Sequence, residues 1–168
     1  MKTLLLVATL TLAVPVASCA QTPAGTEPVD APALSGMRAH LFENKTSKLS
    51  DDVLDAKDPG LWNIVAGARS ANAALVVVEV SGPSGGTYTG HFGARTKYQV
   101  RLVATEKGRA RRLLDQSQVI PVLSAEGKVY LGFLIHPGGC APVRLSASIV
   151  GPRASPRIEK SLNFACGE

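Results

Sequence analysis

A chain of 168 residues with 18 lysines and arginines against 13 aspartates and glutamates carries a formal charge of +5, spread along its length. That mild surplus argues against a nucleic-acid reader, which gathers basic residues on one face beside aromatic or helical readers. The 3 cysteines show no Cys-x-x-Cys spacing and so offer no tuned redox pair.

The chain opens with Met1-Lys2-Thr3 and then runs from Leu4 to Ala17 without a charge. One basic residue, an apolar stretch shorter than the about 20 residues a spanning helix needs, and small residues after it define an export signal. Val16-Ala17-Ser18-Cys19 ends that signal. It resembles the lipobox of bacterial lipoproteins, an aliphatic residue and two small ones before the cysteine that becomes the lipidated N-terminus, with valine where leucine is usual. The resemblance implies removal of residues 1–18, acylation of Cys19 and attachment to a lipid membrane. Ala20 stands where an aspartate is associated with inner-membrane retention, which implies the outer membrane, facing the periplasm. Ser18-Cys19-Ala20 also fits an ordinary signal-peptidase site, and cleavage before Gln21 would leave a soluble periplasmic or secreted protein.

Residues 19–36 read as a tether, because Pro23, Pro28 and Pro32 stand among small residues without periodicity. Its root-mean-square reach is about 20 to 25 Å. Residues 37–168 are enough for one domain.

Met37 to Phe42 suits a first strand. Ser50 to Lys57 predicts a short helix, with Ser50 as N-cap, Asp51 and Asp52 in the first turn, and a stop before Pro59. Leu61 to Val65, holding Trp62, suits a second short helix or an extended segment over one end of the domain. Ala73 to Ser81, with Val76, Val77, Val78 and Val80, is a near-continuous β-branched run and predicts a central strand buried on both faces or nearly so. Tyr98, Val100, Leu102 and Ala104 alternate with Gln99, Arg101, Val103 and Thr105, and Glu106-Lys107-Gly108 turns the chain into Arg109 to Gln118. Val119 to Leu123 is apolar, and Ala125-Glu126-Gly127 turns again. Val129, Leu131, Phe133 and Ile135 then share a face, as do Val143, Leu145, Ala147 and Ile149. Ile158, Leu162 and Phe164 form the last such set, with Lys160 as an exception near an edge. Short strands at this spacing predict an all-β fold, an immunoglobulin-like or transthyretin-like antiparallel β-sandwich with one or two short N-terminal helices.

If residues 143–151 and 157–165 pair as a hairpin around Gly151 to Pro156, partner numbers sum to about 307, as for 150 and 157. Cys140 then faces position 167, one residue from Cys166. A Cys140–Cys166 disulfide is therefore expected in an oxidising envelope.

Gly82-Pro83-Ser84-Gly85-Gly86 matches the pattern of a nucleophile elbow, which requires a helix directly after the serine. Thr87-Tyr88-Thr89-Gly90 has no helical pattern, so an inter-strand loop is the plainer reading. A hydrolase using Ser84 or a histidine-centred site is the alternative this motif keeps open. His40, His91 and His136 are isolated, without the dense spacings of zinc or copper sites, so a metal or small-ligand carrier would need them to converge in space. Asp51, Asp52, Asp55 and Asp58 lack the pattern of a calcium loop and suit a solvated helix face. Lys107, Arg109, Arg111 and Arg112 straddle a hairpin turn and are the candidates to touch an acidic partner or lipid head groups. The expectation is a membrane-anchored envelope lipoprotein whose sandwich binds another envelope protein, without catalytic activity, cofactor, metal or nucleic acid.

Overall fold

The computed structural model describes residues 31–54, 71–82, 98–108, 110–121, 123–136, 141–152 and 155–163. Within them the chain forms β1 (Ala33–Glu43), β2 (Lys48–Leu49), β3 (Ala71–Ser81), β4 (Gln99–Glu106), β5 (Arg112–Val119), β6 (Lys128–Ile135), β7 (Val143–Val150) and β8 (Ile158–Leu162). They make two antiparallel sheets, one ordered β2-β1-β3-β6 and the other β5-β4-β7-β8. We call them the β1 sheet and the β4 sheet. Their inner faces share one apolar core, and the molecule is the β-sandwich that the alternation predicts.

The core follows from period-two patterning, since alternate side chains of a strand leave the same face. Val100, Leu102 and Ala104 of β4, Leu131, Phe133 and Ile135 of β6, and Val143, Leu145, Ala147 and Ile149 of β7 are all buried. Fully burying one such side chain is worth about 1.5 to 3 kcal/mol. β3 lies between β1 and β6, with Val76, Val78 and Val80 fully buried, while Leu75, Val77 and Glu79 are half-covered on its other face. Ile120 and Leu123, from the link between β5 and β6, are buried at one end of the sandwich.

Both expected turns are present. Gly108 has φ of 90° and Gly127 of 72°, the left-handed region that glycine enters without steric cost. Lys160 lies on the inner-face register of β8 opposite Leu145, yet is exposed because β8 is an edge strand. A charge there opposes edge-to-edge association.

Three expectations are corrected. β1 begins at Ala33, so the last four residues assigned to the tether belong to a strand paired with β3. Residues 50–54 are not helical and run beside β1 instead. The Ser50 and Val53 amides donate to the Leu41 and Ala39 carbonyls, at 2.9 and 2.8 Å. Ser50 Oγ accepts the Leu41 amide at 2.9 Å, and Asp52 Oδ1 accepts the amides of Ala39 at 2.9 Å and Leu54 at 3.1 Å. Serine and aspartate cap helices by accepting backbone N–H groups, and here the N–H groups of a neighbouring strand take that place. Finally, the β7–β8 partners Val143 and Leu162 give a register sum of 305 rather than 307. Residues 55–57 of the expected first helix, the segment 61–65, Phe164 and the cysteines Cys19, Cys140 and Cys166 lie outside the described residues.

Candidate binding surfaces

A sandwich has two outer faces, and here they differ in chemistry. Arg38, His40 and Phe42 of β1, Leu75, Val77 and Glu79 of β3, and Tyr130, Gly132 and Leu134 of β6 form the outer face of the β1 sheet. The register sets Leu75 between His40 and Leu134, and Glu79 beside Tyr130. Gly132 leaves room over the strand for Leu75, whose Cδ1 would stand 3.2 Å from an added Cβ. Phe42, Leu49, Tyr130 and Leu134 are 42 to 52 % exposed, large apolar side chains left in water along one face.

One end of that face is charged. Glu79 takes Lys128 Nζ at 2.8 Å and Arg38 Nη2 at 3.3 Å, and the Arg38 guanidinium lies 5.9 Å from the Tyr130 ring centroid. The hydrogen-bonded Lys128 ammonium is the main cause holding the Glu79 carboxyl below its usual range, and Glu79 in turn raises Lys128. Two cations share the Glu79 carboxylate, and the Glu126 carboxylate also acts on Lys128.

The outer face of the β4 sheet is a shallow basin of about 240 Å³ lined by Arg101, Val103, Thr105, Arg144, Ser146, Ser148, Arg157 and Glu159. Register explains the assembly. Arg101 pairs with Ser148, Val103 with Ser146 and Thr105 with Arg144, while Asp115 lies beside Val103 and Glu159 beside Ser146. Each carboxylate thus sits at mid-height, with an arginine above and below it.

Arg101 donates Nε and Nη2 to the two oxygens of Asp115, each at 2.7 Å, and Arg112 Nη1 reaches the same carboxylate at 2.8 Å. Across the basin, Glu159 takes Arg144 Nη2 at 2.6 Å and Arg157 Nη1 at 3.5 Å. The Arg101 fork holds Asp115 below its usual range and is itself raised, and Arg144 holds Glu159 below its usual range.

Of the basic residues singled out by sequence, Lys107, Arg111 and Arg112 are exposed at the turn between β4 and β5, and Arg109 lies outside the described residues. Lys107 and Arg111 carry no ion pair among the described residues, whereas Arg112 is drawn to Asp115 at the basin rim. Arg101, Arg144 and Arg157 were not singled out. Their signal is the basic and hydroxylic residues at the outward positions of strands whose inward positions are apolar, but only the register places three separate strands side by side.

Ser84 and His91 lie outside the described residues. The His40 ring engages the Ser50 carbonyl through Nδ1 at 2.8 Å, which ties it to the segment beside β1. Among the described residues no three histidines, cysteines or carboxylates gather as a metal site. Neither a protein-family model nor a curated protein matches the chain.

Proposed function

We propose that this chain is an envelope lipoprotein, held to the outer membrane by acylated Cys19 and facing the periplasm, whose β-sandwich is a non-catalytic module for binding another envelope protein. The observation that carries the reading is the outer face of the β1 sheet. Exposed large apolar side chains gathered on one face mark interaction sites, and Phe42, Leu49, Tyr130 and Leu134 stand on this face around the half-covered Leu75 and Val77. Tyr130 is an anchor of the kind that dominates protein interfaces. Arg38, 53 % exposed beside the Tyr130 ring, offers its guanidinium to a partner whose apolar surface is flanked by an acidic side chain.

A photo-reactive residue placed at Leu134 in cells should capture one discrete protein partner, and the same residue at Gln116, on β5, should not. Leu134→Glu should abolish capture from a probe at Tyr130 without lowering the thermal midpoint, since Leu134 is 51 % exposed. Capture of a second copy of the chain, or equal labelling from both positions, would overturn the assignment of this face to another protein. Labelled palmitate should enter the wild type and not Cys19→Ser. An unlabelled, soluble chain beginning at Gln21 would refute the anchor.

A further inference from the structure

On the outer face of the β4 sheet four guanidinium groups share two carboxylates, Asp115 with Arg101 and Arg112, and Glu159 with Arg144 and Arg157. Cross-strand pairing that served stability alone would be met by one acid for each base. Two positive charges are left. The acids are the more covered members, at 23 and 38 % exposure, while the arginines stand 46 to 64 % exposed. Each carboxylate therefore fixes guanidinium groups that still face solvent with unused donors. An arginine offers five N–H donors; Arg101 engages two nitrogens, and Arg144 and Arg157 one each.

Between the two clusters lie Thr105, Ser146 and Ser148, half-covered, with hydroxyls that find no hydrogen-bond partner among the described residues. Charge sits on both flanks of the basin and neutral donors on its floor. A planar carboxylate is satisfied by one guanidinium fork, as Asp115 already is by Arg101. A tetrahedral oxyanion presents oxygens to both flanks and the floor together. The surplus of two charges also matches a phosphate monoester, which carries about −1.5 to −2 near neutral pH.

We infer that this basin binds a phosphate monoester group, clamped by Arg101, Arg144 and Arg157 and received by the hydroxyls of Thr105, Ser146 and Ser148. The site is separate from the apolar face of the β1 sheet and does not depend on it. The same chemistry is presented by a soluble phosphate ester and by a lipid whose head group ends in phosphate.

The test titrates the full chain, held in mild detergent, with sodium phosphate and with glycerol 3-phosphate against sodium chloride of equal ionic strength, following backbone amide resonances. Saturable shifts are expected at residues 101–105 and 144–148. Arg144→Ala with Arg157→Ala should weaken binding about tenfold or more, as loss of charged hydrogen bonds implies. Ser146→Ala with Ser148→Ala, which leaves the charge untouched, should weaken it about threefold. Flotation with phosphatidic acid vesicles, compared with phosphatidylcholine, separates the two sources. Comparing wild type with the double arginine variant cancels any contribution from the anchor. A variant-sensitive preference for phosphatidic acid assigns the lipid-borne group, and its absence beside saturable soluble binding assigns the free ester. No saturable response to either soluble probe or to phosphatidic acid, or a response unchanged in the serine variant or in a folded arginine variant, overturns the inference. Leu134→Glu should bind phosphate as the wild type does, so failure of the apolar face and failure of the basin are distinguishable.

Discussion

Gly151 is exposed, lies just beyond β7 and looks replaceable, yet it is closed to any side chain. A Cβ on it would stand 2.5 Å from Cε1 and 3.0 Å from Cγ of Tyr98, with Cδ1 closer still. To restore ordinary contact the ring would have to retreat by about 1 Å or more, and overpacking of this kind costs about 1 to 3 kcal/mol. Tyr98 is only 4 % exposed, and its carbonyl accepts the Ile120 amide at 3.0 Å, so it has little freedom to yield. Removing a glycine from the unfolded chain pulls the other way, by about 0.4 to 1 kcal/mol. The clash wins: Gly151→Ala should destabilise by about 1 to 3 kcal/mol in urea unfolding followed by far-ultraviolet circular dichroism. Within Tyr98→Ala the obstruction is gone and the same substitution should be neutral or slightly stabilising, a coupling of about 1 to 3 kcal/mol. An equal effect of Gly151→Ala in both backgrounds would refute the reasoning.

Asp52→Ala should cost about 1 to 3 kcal/mol, because it strands the part-buried Ala39 amide; Asp52→Asn, which keeps an acceptor oxygen, should recover most of that in the same unfolding assay. Glu106 is 3 % exposed and its Oε2 has no hydrogen-bond partner among the described residues, so Glu106→Leu should leave stability unchanged or raise it by about 1 to 3 kcal/mol, and a loss of that size would show the carboxylate to be structurally required. Glu79, Asp115 and Glu159 titrate below their usual range in the folded chain, through Lys128, Arg101 and Arg144 respectively. Their folded values lie beneath the unfolded ones of about 4, so their stabilisation is complete above that pH and is lost as pH falls through the folded values. Thermal midpoints measured on going down from neutral should hold until about pH 5 as far as these groups decide, then drop, and Asp115→Asn should shrink the drop.

The inward faces were legible in the sequence because alternation is a property of one strand, enforced by its own geometry. Val100, Leu102 and Ala104, or Val143 through Ile149, announce a buried face whatever strand comes to lie beside them, and Gly108 and Gly127 mark turns through backbone freedom that glycine alone has cheaply. Ser50 and Asp52 show where local reading stops. Their side chains accept amides as a helix cap would, but the amides belong to β1, about ten residues earlier in the chain. The same limit hid the arginine basin and the conflict awaiting any side chain at Gly151. Arg101, Arg144 and Arg157 become neighbours, and Tyr98 comes to fill the space over Gly151, only when β4, β7 and β8 pair in one register. Strand alternation says which way a side chain faces, whereas its neighbour across the sheet depends on the collective choice of pairing, which sequence separation leaves open and packing of the whole core decides.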